Sequence, residues 1–105
     1  MREMVRVLDE GDLPKEGQVT EAAAGRLCVA RLKGQIIVLD NTCPHSDGPL
    51  GQGMIEDGCV VCPYHGWAFN LKTGAATHDA SEKVRIFESE LRDGALMVRP
   101  PEQSA

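Results

Sequence analysis

Two stretches of this sequence decide its fold and its chemistry: residues 43–51, which read CPHSDGPLG, and residues 62–67, which read CPYHGW. Each stretch offers one cysteine and one histidine, follows an apolar segment and enters a loop that contains glycine and proline. Two loops of this kind, side by side, would bring two sulfur and two nitrogen donors to one site. The candidate metal ligands are therefore Cys43, His45, Cys62 and His65.

This mixed donor set favours iron bridged by sulfide. Thiolates are soft ligands that suit iron–sulfur centres, whereas imidazoles are neutral and can gain or lose a proton on the nitrogen away from the metal. Two cysteines on one iron and two histidines on the other reduce the negative charge of the centre, which raises its reduction potential. Such centres span roughly −150 to +300 mV, against about −400 mV for plant-type ferredoxins.

Zinc is the alternative that the same donors leave open, because two cysteines and two histidines also suit a tetrahedral zinc ion. The spacing from Cys43 to His45 is tighter than the two to four intervening residues that are usual in zinc fingers. Cys59 and Cys62 form a C-x-x-C pair, but no second pair completes a zinc ribbon. The spacing favours iron–sulfur over a zinc-binding structural module.

The two stretches resemble the C-x-H and C-x-x-H motifs of the Rieske family, including the glycines that follow them. The resemblance implies one [2Fe–2S] cluster, with Cys43 and Cys62 on the inner iron and His45 and His65 on the outer iron, near the surface. It also implies an all-β Rieske-type fold, an antiparallel sandwich or small barrel with a cluster-binding subdomain of two loops.

The sequence departs from the respiratory members of that family at four positions. Their disulfide cysteines would fall at Gly48 and Tyr64, so that bond is absent here. Their serine and tyrosine hydroxyls, which hydrogen-bond to the cluster and to a cysteine sulfur, are replaced by Trp67 and Phe69. Fewer hydrogen bonds stabilise the reduced cluster less, so we expect a potential at the low end of the range.

The function that follows is a soluble one-electron carrier and not an enzyme by itself. The resemblance to ferredoxins of oxygenase systems implies a flavin-dependent reductase and a terminal oxygenase as partners. The alternative is the small subunit of an assimilatory nitrite reductase, with the large subunit of that enzyme as its partner. We expect no catalytic residue, since the chain ends soon after the second motif and only His78 remains as a further imidazole.

Composition and charge agree with a small globular carrier. The chain has 105 residues, of which 42% are hydrophobic and 26% charged, and a net charge of −5. That charge argues against nucleic acid or an anionic membrane as a partner. The N-terminal residues alternate charged and apolar side chains without a long apolar run, which predicts a cytoplasmic protein whose cysteines are thiols or metal ligands.

Short apolar runs separated by Gly, Asp, Asn and Pro predict strands throughout a single domain of residues 1–105. We expect its cluster-binding part at about 41–80 and a frayed tail at about 100–105. Predicted strands cover residues 4–8, a hairpin of 27–32 with 36–39, a hairpin of 54–55 with 59–61, residues 67–71, and a closing hairpin of 84–87 with 95–98.

Five side chains outside the proposed ligand set have simpler interpretations. Cys28 and Cys59 are predicted to be small buried hydrophobic residues, as unligated cysteines often are. His78 lies in a polar stretch and is predicted to be solvated. Trp67 and Phe69 are predicted to belong to the core, with a lesser role for Trp67 in shielding the cluster from water.

Overall fold

The computed structural model describes residues 4–43, 48–64, 66–79 and 81–99. Within these ranges the chain forms ten strands and two single-turn 3-10 helices. The strands are β1 Val5–Asp9, β2 Val19–Ala22, β3 Leu27–Leu32, β4 Gln35–Asp40, β5 Met54–Glu56, β6 Cys59–Val61, β7 Ala68–Asn70, β8 Ile86–Phe87, β9 Ser89–Arg92 and β10 Ala95–Val98. The 3-10 helices are Glu10–Asp12 and Leu50–Gln52.

The strands form three antiparallel sheets, with the orders β1-β10-β9, β2-β3-β4-β8 and β5-β6-β7. The predicted all-β class is confirmed. Among the described residues no helix is long and apolar enough to cross a membrane. The assignment of residues 1–105 to one domain stays a prediction, and part of the expected tail, from residue 100, lies outside the described residues.

Turn chemistry explains three of the hairpins. Each has a two-residue turn whose second residue is glycine, at Lys33-Gly34, Asp57-Gly58 and Asp93-Gly94. Both residues of each turn have a positive φ, between 50° and 78°. Turns of this type match the right-handed twist of paired strands, which is why the sequence predicts them well.

The four-stranded sheet lies between two clusters of buried side chains. Alternate residues of β3 and β4 point to opposite faces, as strand geometry requires. Cys28 and Leu39 belong to one cluster, which also contains side chains of β6 and β7. Val29 and Val38 belong to the other, which contains side chains of β10. The first of these clusters contains the cysteines of both sequence motifs.

The prediction of the closing hairpin was wrong in its first strand. Residues 84–87 do not pair with β10; only Ile86–Phe87 is a strand there, and it pairs with β4. The partner of β10 is β9, which immediately precedes the Asp93-Gly94 turn. A two-residue turn requires the adjacent segment as partner, although the polar sequence of β9 is a weak strand signal. Strand β2 was also absent from the prediction.

Two glycines with the same backbone conformation provide a test of the packing. Gly74 and Gly94 have φ values of 79° and 78°. A Cβ at Gly74 would overlap the carbonyl oxygen of Val84, whereas a Cβ at Gly94 would have no atom within 4 Å. We expect Gly94→Ala to cost about 1–2 kcal/mol of unfolding free energy, from backbone strain alone. Gly74→Ala should cost at least about 2 kcal/mol more, because backbone must move.

Urea unfolding of both variants and the wild-type protein measures the difference. Equal losses for the two alanine variants would contradict the close approach of Gly74 to residue 84.

Candidate metal centre

Cys43 and Cys62 reach the same buried cluster from different sheets. Cys62 directly follows β6, and Cys43 lies three residues beyond the end of β4. Their exposed fractions are 1% and 0%, respectively, and both belong to the cluster that includes Phe69 and Leu50. The fold therefore brings the two predicted sulfur donors into one apolar environment.

The first loop is closed at its base by backbone hydrogen bonds. The amide of Cys43 donates to the carbonyl of Gly48 over 2.9 Å, and the amide of Leu50 donates to the carbonyl of Asn41 over 2.7 Å. Thr42 and Pro49 form an antiparallel bridge between these bonds. The two ends of the loop therefore lie side by side and fix the backbone of Cys43.

The second loop is closed in the same way. The amide of Cys62 donates to the carbonyl of Trp67 over 2.8 Å, and the amide of Gly66 donates to the carbonyl of Cys62 over 3.1 Å. In both loops the cysteine amide bonds to the carbonyl of the fifth residue after it, 43 to 48 and 62 to 67. Two loops of similar construction therefore follow the two candidate ligands.

Close backbone packing links the two loops. Gly53, which follows the 3-10 helix at the end of the first loop, lies against the carbonyl of Val61, the residue before Cys62. A Cβ at Gly53 would overlap that carbonyl oxygen. Glycine is required there because the backbone approaches too closely for any side chain, and the contact sets the spacing between the loops.

The two histidines of the predicted ligand set, His45 and His65, lie outside the described residues. Within the described ranges no group of three or more His, Cys, Asp or Glu side chains is placed to hold a metal ion. The structure thus brings Cys43 and Cys62 together, and the complete set of four ligands stays a prediction.

Two cysteines, Cys28 and Cys59, lie outside the two motifs, and Cys28 shares the apolar cluster of the candidate ligands. Both are buried, as predicted, with exposed fractions of 0% and 7%. Burial, with a smaller effect of the Glu21 carboxylate, raises the pKa of Cys28 to about 12. Burial and the Asp57 carboxylate also raise the pKa of Cys59. Burial thus makes the thiolate form of either residue less favourable than that of an exposed cysteine.

Aromatic side chains pack together where the second loop ends. Phe69 is fully buried and Trp67 is half-buried, with ring centroids 6.4 Å apart. His78 is exposed, as predicted, but its ring stands edge-on to Trp67, with centroids 3.9 Å apart and planes at 82°. The segment carrying His78 therefore packs over the indole next to the loop.

Sequence reasoning missed one residue near the first motif, Asn41. Its side chain is buried, with 3% exposed, and makes hydrogen bonds to Glu21, Gly25 and Gly51. The available signal was an asparagine directly after a buried strand and two residues before a candidate ligand. Its partners could not be identified without strand β2.

A family model described as Rieske [2Fe-2S] domain matches residues 3–88. Ferredoxin CarAc of Metapseudomonas resinovorans is 32% identical over 82 residues, which cover 77% of this chain and 77% of the relative. The anthranilate 1,2-dioxygenase ferredoxin subunit of Burkholderia cepacia is 32% identical over 73 residues, which cover 69% of this chain and 68% of the relative.

A solved structure described as a complex of reduced oxygenase and oxidized ferredoxin in carbazole 1,9a-dioxygenase contains a similar chain. It has a TM-score of 0.79 and 25% identity, and the match covers 100% of both chains.

The buried thiols give a prediction about reactivity. The pKa of Cys28 rises from 9.0 to about 12, which lowers its thiolate population at pH 8 about a thousandfold. Because the thiolate is the nucleophile, Cys28 should resist iodoacetamide in the folded protein, and Cys59, nearer the surface, should react before it. Peptide mass spectrometry after timed alkylation measures both rates. Faster modification of Cys28 than of Cys59 would contradict this order.

Proposed function

The chain belongs to the Rieske [2Fe–2S] domain family, and from that membership we propose that it is a soluble one-electron carrier of an oxygenase system. As a family member it carries one [2Fe–2S] cluster. The observation that supports the role most directly is the pair of buried cysteines, Cys43 and Cys62, each at the base of a hydrogen-bonded loop.

The proposed ligands are Cys43 and Cys62 for one iron and His45 and His65 for the other. The residues fit the group, since two buried sulfur donors share one apolar cluster and each loop contributes one histidine from its sequence. When bound, the cluster accepts and releases a single electron. The buried apolar side chains around Cys43 and Cys62 exclude water from both sulfur atoms. The hydrogen bonds at the base of each loop hold both cysteine backbones.

Family membership with a [2Fe–2S] cluster removes the zinc module as an alternative. The nitrite reductase alternative gains no support, because the two relatives reported above are ferredoxin components, one of them named as a dioxygenase subunit. The role is therefore electron transfer and not catalysis.

The proposed partners are a flavin-dependent reductase that supplies the electron and a terminal oxygenase that receives it, both in the cytoplasm. The pairing with an oxygenase is supported by the similar chain in the carbazole 1,9a-dioxygenase complex. The net charge of −5 favours docking on a basic face of each partner, with an association rate that falls as salt increases.

A matched set of cysteine variants tests the ligand assignment. Cys43→Ala and Cys62→Ala remove proposed ligands, whereas Cys28→Ala and Cys59→Ala remove buried cysteines that lie outside the two motifs. We expect the first pair to lose nearly all iron and acid-labile sulfide and the second pair to keep the wild-type content, because cluster binding needs every thiolate ligand. Loss of sulfide in Cys28→Ala comparable to that in Cys43→Ala would refute the assignment.

The reduction potential tests the carrier role. Trp67 and Phe69 supply no hydroxyl to the cluster, so protein-film voltammetry should give one reversible couple below about 0 mV, in the lower part of the Rieske range. Phe69→Tyr introduces a hydroxyl into the cluster of buried side chains that contains both cysteines, and should raise the midpoint. A wild-type midpoint above about 0 mV would contradict the proposed low-potential carrier.

A further inference from the structure

Asn41 is the one buried polar residue among those that the structure describes, and its carboxamide is fully hydrogen-bonded. Its Nδ2 donates to a carboxylate oxygen of Glu21 over 2.7 Å and to the carbonyl of Gly25 over 2.9 Å. Its Oδ1 accepts the amide hydrogen of Gly51 over 2.6 Å. A buried amide satisfied on both sides holds its neighbours in one arrangement, because a lost bond leaves a desolvated polar group.

The backbone of Asn41 is held as firmly as its side chain. Its amide donates to the carbonyl of Arg26 over 3.1 Å, and its carbonyl accepts from the amide of Leu50 over 2.7 Å. The residue thus connects the turn between β2 and β3 to both ends of the first loop.

Glu21 on β2 completes the connection. Its carboxylate also accepts from the side-chain amide of Gln52 over 3.2 Å, so it binds residues from the start and the end of the first loop region. The packing leaves no spare room, since a Cβ at Gly51 would lie 2.5 Å from Cγ of Glu21 and 2.9 Å from Oδ1 of Asn41.

We propose that Asn41 is a positioning residue for the cluster, which fixes the base of the first loop, and with it Cys43, against the Glu21 carboxylate of β2. This inference rests on the proposed function, because it assigns Asn41 a role toward the cluster that Cys43 binds. Within the described part of the chain the side chain of Asn41 bonds to Glu21, Gly25 and Gly51, so it acts on Cys43 through the loop backbone that Asn41 and Leu50 pair.

Exchanging the amide of Asn41 with the carboxylate of Glu21 tests the proposal. Asn41→Asp keeps the shape of the side chain and its acceptor for Gly51, but it loses both donors and faces the Glu21 carboxylate with like charge. Glu21→Gln alone keeps an acceptor for Asn41. In the double variant the glutamine can donate to the aspartate, and the net charge of the pair equals that of the wild type.

The measurements are the rate at which the purified, cluster-loaded protein loses iron to an external chelator, and the EPR spectrum after reduction. We expect Asn41→Asp to lose iron at least about tenfold faster, with a changed spectrum, and Glu21→Gln to stay within about twofold of wild type. The double variant should release iron more slowly than Asn41→Asp but faster than the wild type. Its recovery is incomplete because the carbonyl of Gly25 still faces an acceptor and receives no hydrogen bond. If Asn41→Asp does not fold, Glu21→Ala should show the same acceleration, to a smaller degree.

Val38→Ala is the control, because it removes buried volume from the other core cluster and leaves the loop bonds untouched. It should lower thermal stability without altering the EPR spectrum. Wild-type behaviour of Asn41→Asp, the same release and spectral change in Val38→Ala, or no recovery in the double variant would overturn the inference. A wild-type protein without acid-labile sulfide would instead refute the proposed function.

Discussion

Backbone hydrogen bonds close both loops and hold the two proposed sulfur ligands in place. In each loop the amide of the cysteine itself donates to the carbonyl of the fifth residue after it, so a hydrogen bond holds the backbone that carries each sulfur. The two cysteines follow strands of different sheets, and their side chains meet in a cluster shared by both sheets. The fold therefore sets the sulfur positions, and short loops carry the remaining residues of each motif.

The four buried cysteines form two pairs with different proposed roles. An apolar environment without a metal disfavours the thiolate, which is why the pKa values of Cys28 and Cys59 are raised. A metal reverses that preference, because a coordinating thiol is deprotonated by the adjacent positive charge. Four buried cysteines can thus coexist in one small core. The two proposed ligands, Cys43 and Cys62, are the ones that lie at the base of a loop, whereas Cys28 and Cys59 lie within strands.

Much of this could be predicted from the sequence because the decisive signals are local. Lys33-Gly34, Asp57-Gly58 and Asp93-Gly94 each specify a tight turn, and the spacing within each motif specifies its donors. The rest depends on partners distant in sequence. Strand β2 has few apolar residues and forms by pairing with β3. Of residues 84–87, only Ile86–Phe87 forms a strand, because these two residues pair with β4. The contacts of Asn41 depend on β2, so they could not be predicted without it.

We propose that this chain holds two irons bridged by sulfide between two cysteine and two histidine ligands. Metal and acid-labile sulfide analysis of the freshly purified wild-type protein, combined with EPR after dithionite reduction, tests it most directly. We expect about two irons and two sulfides per chain and an EPR signal from the reduced cluster. Stoichiometric zinc with no labile sulfide and no EPR signal would contradict it.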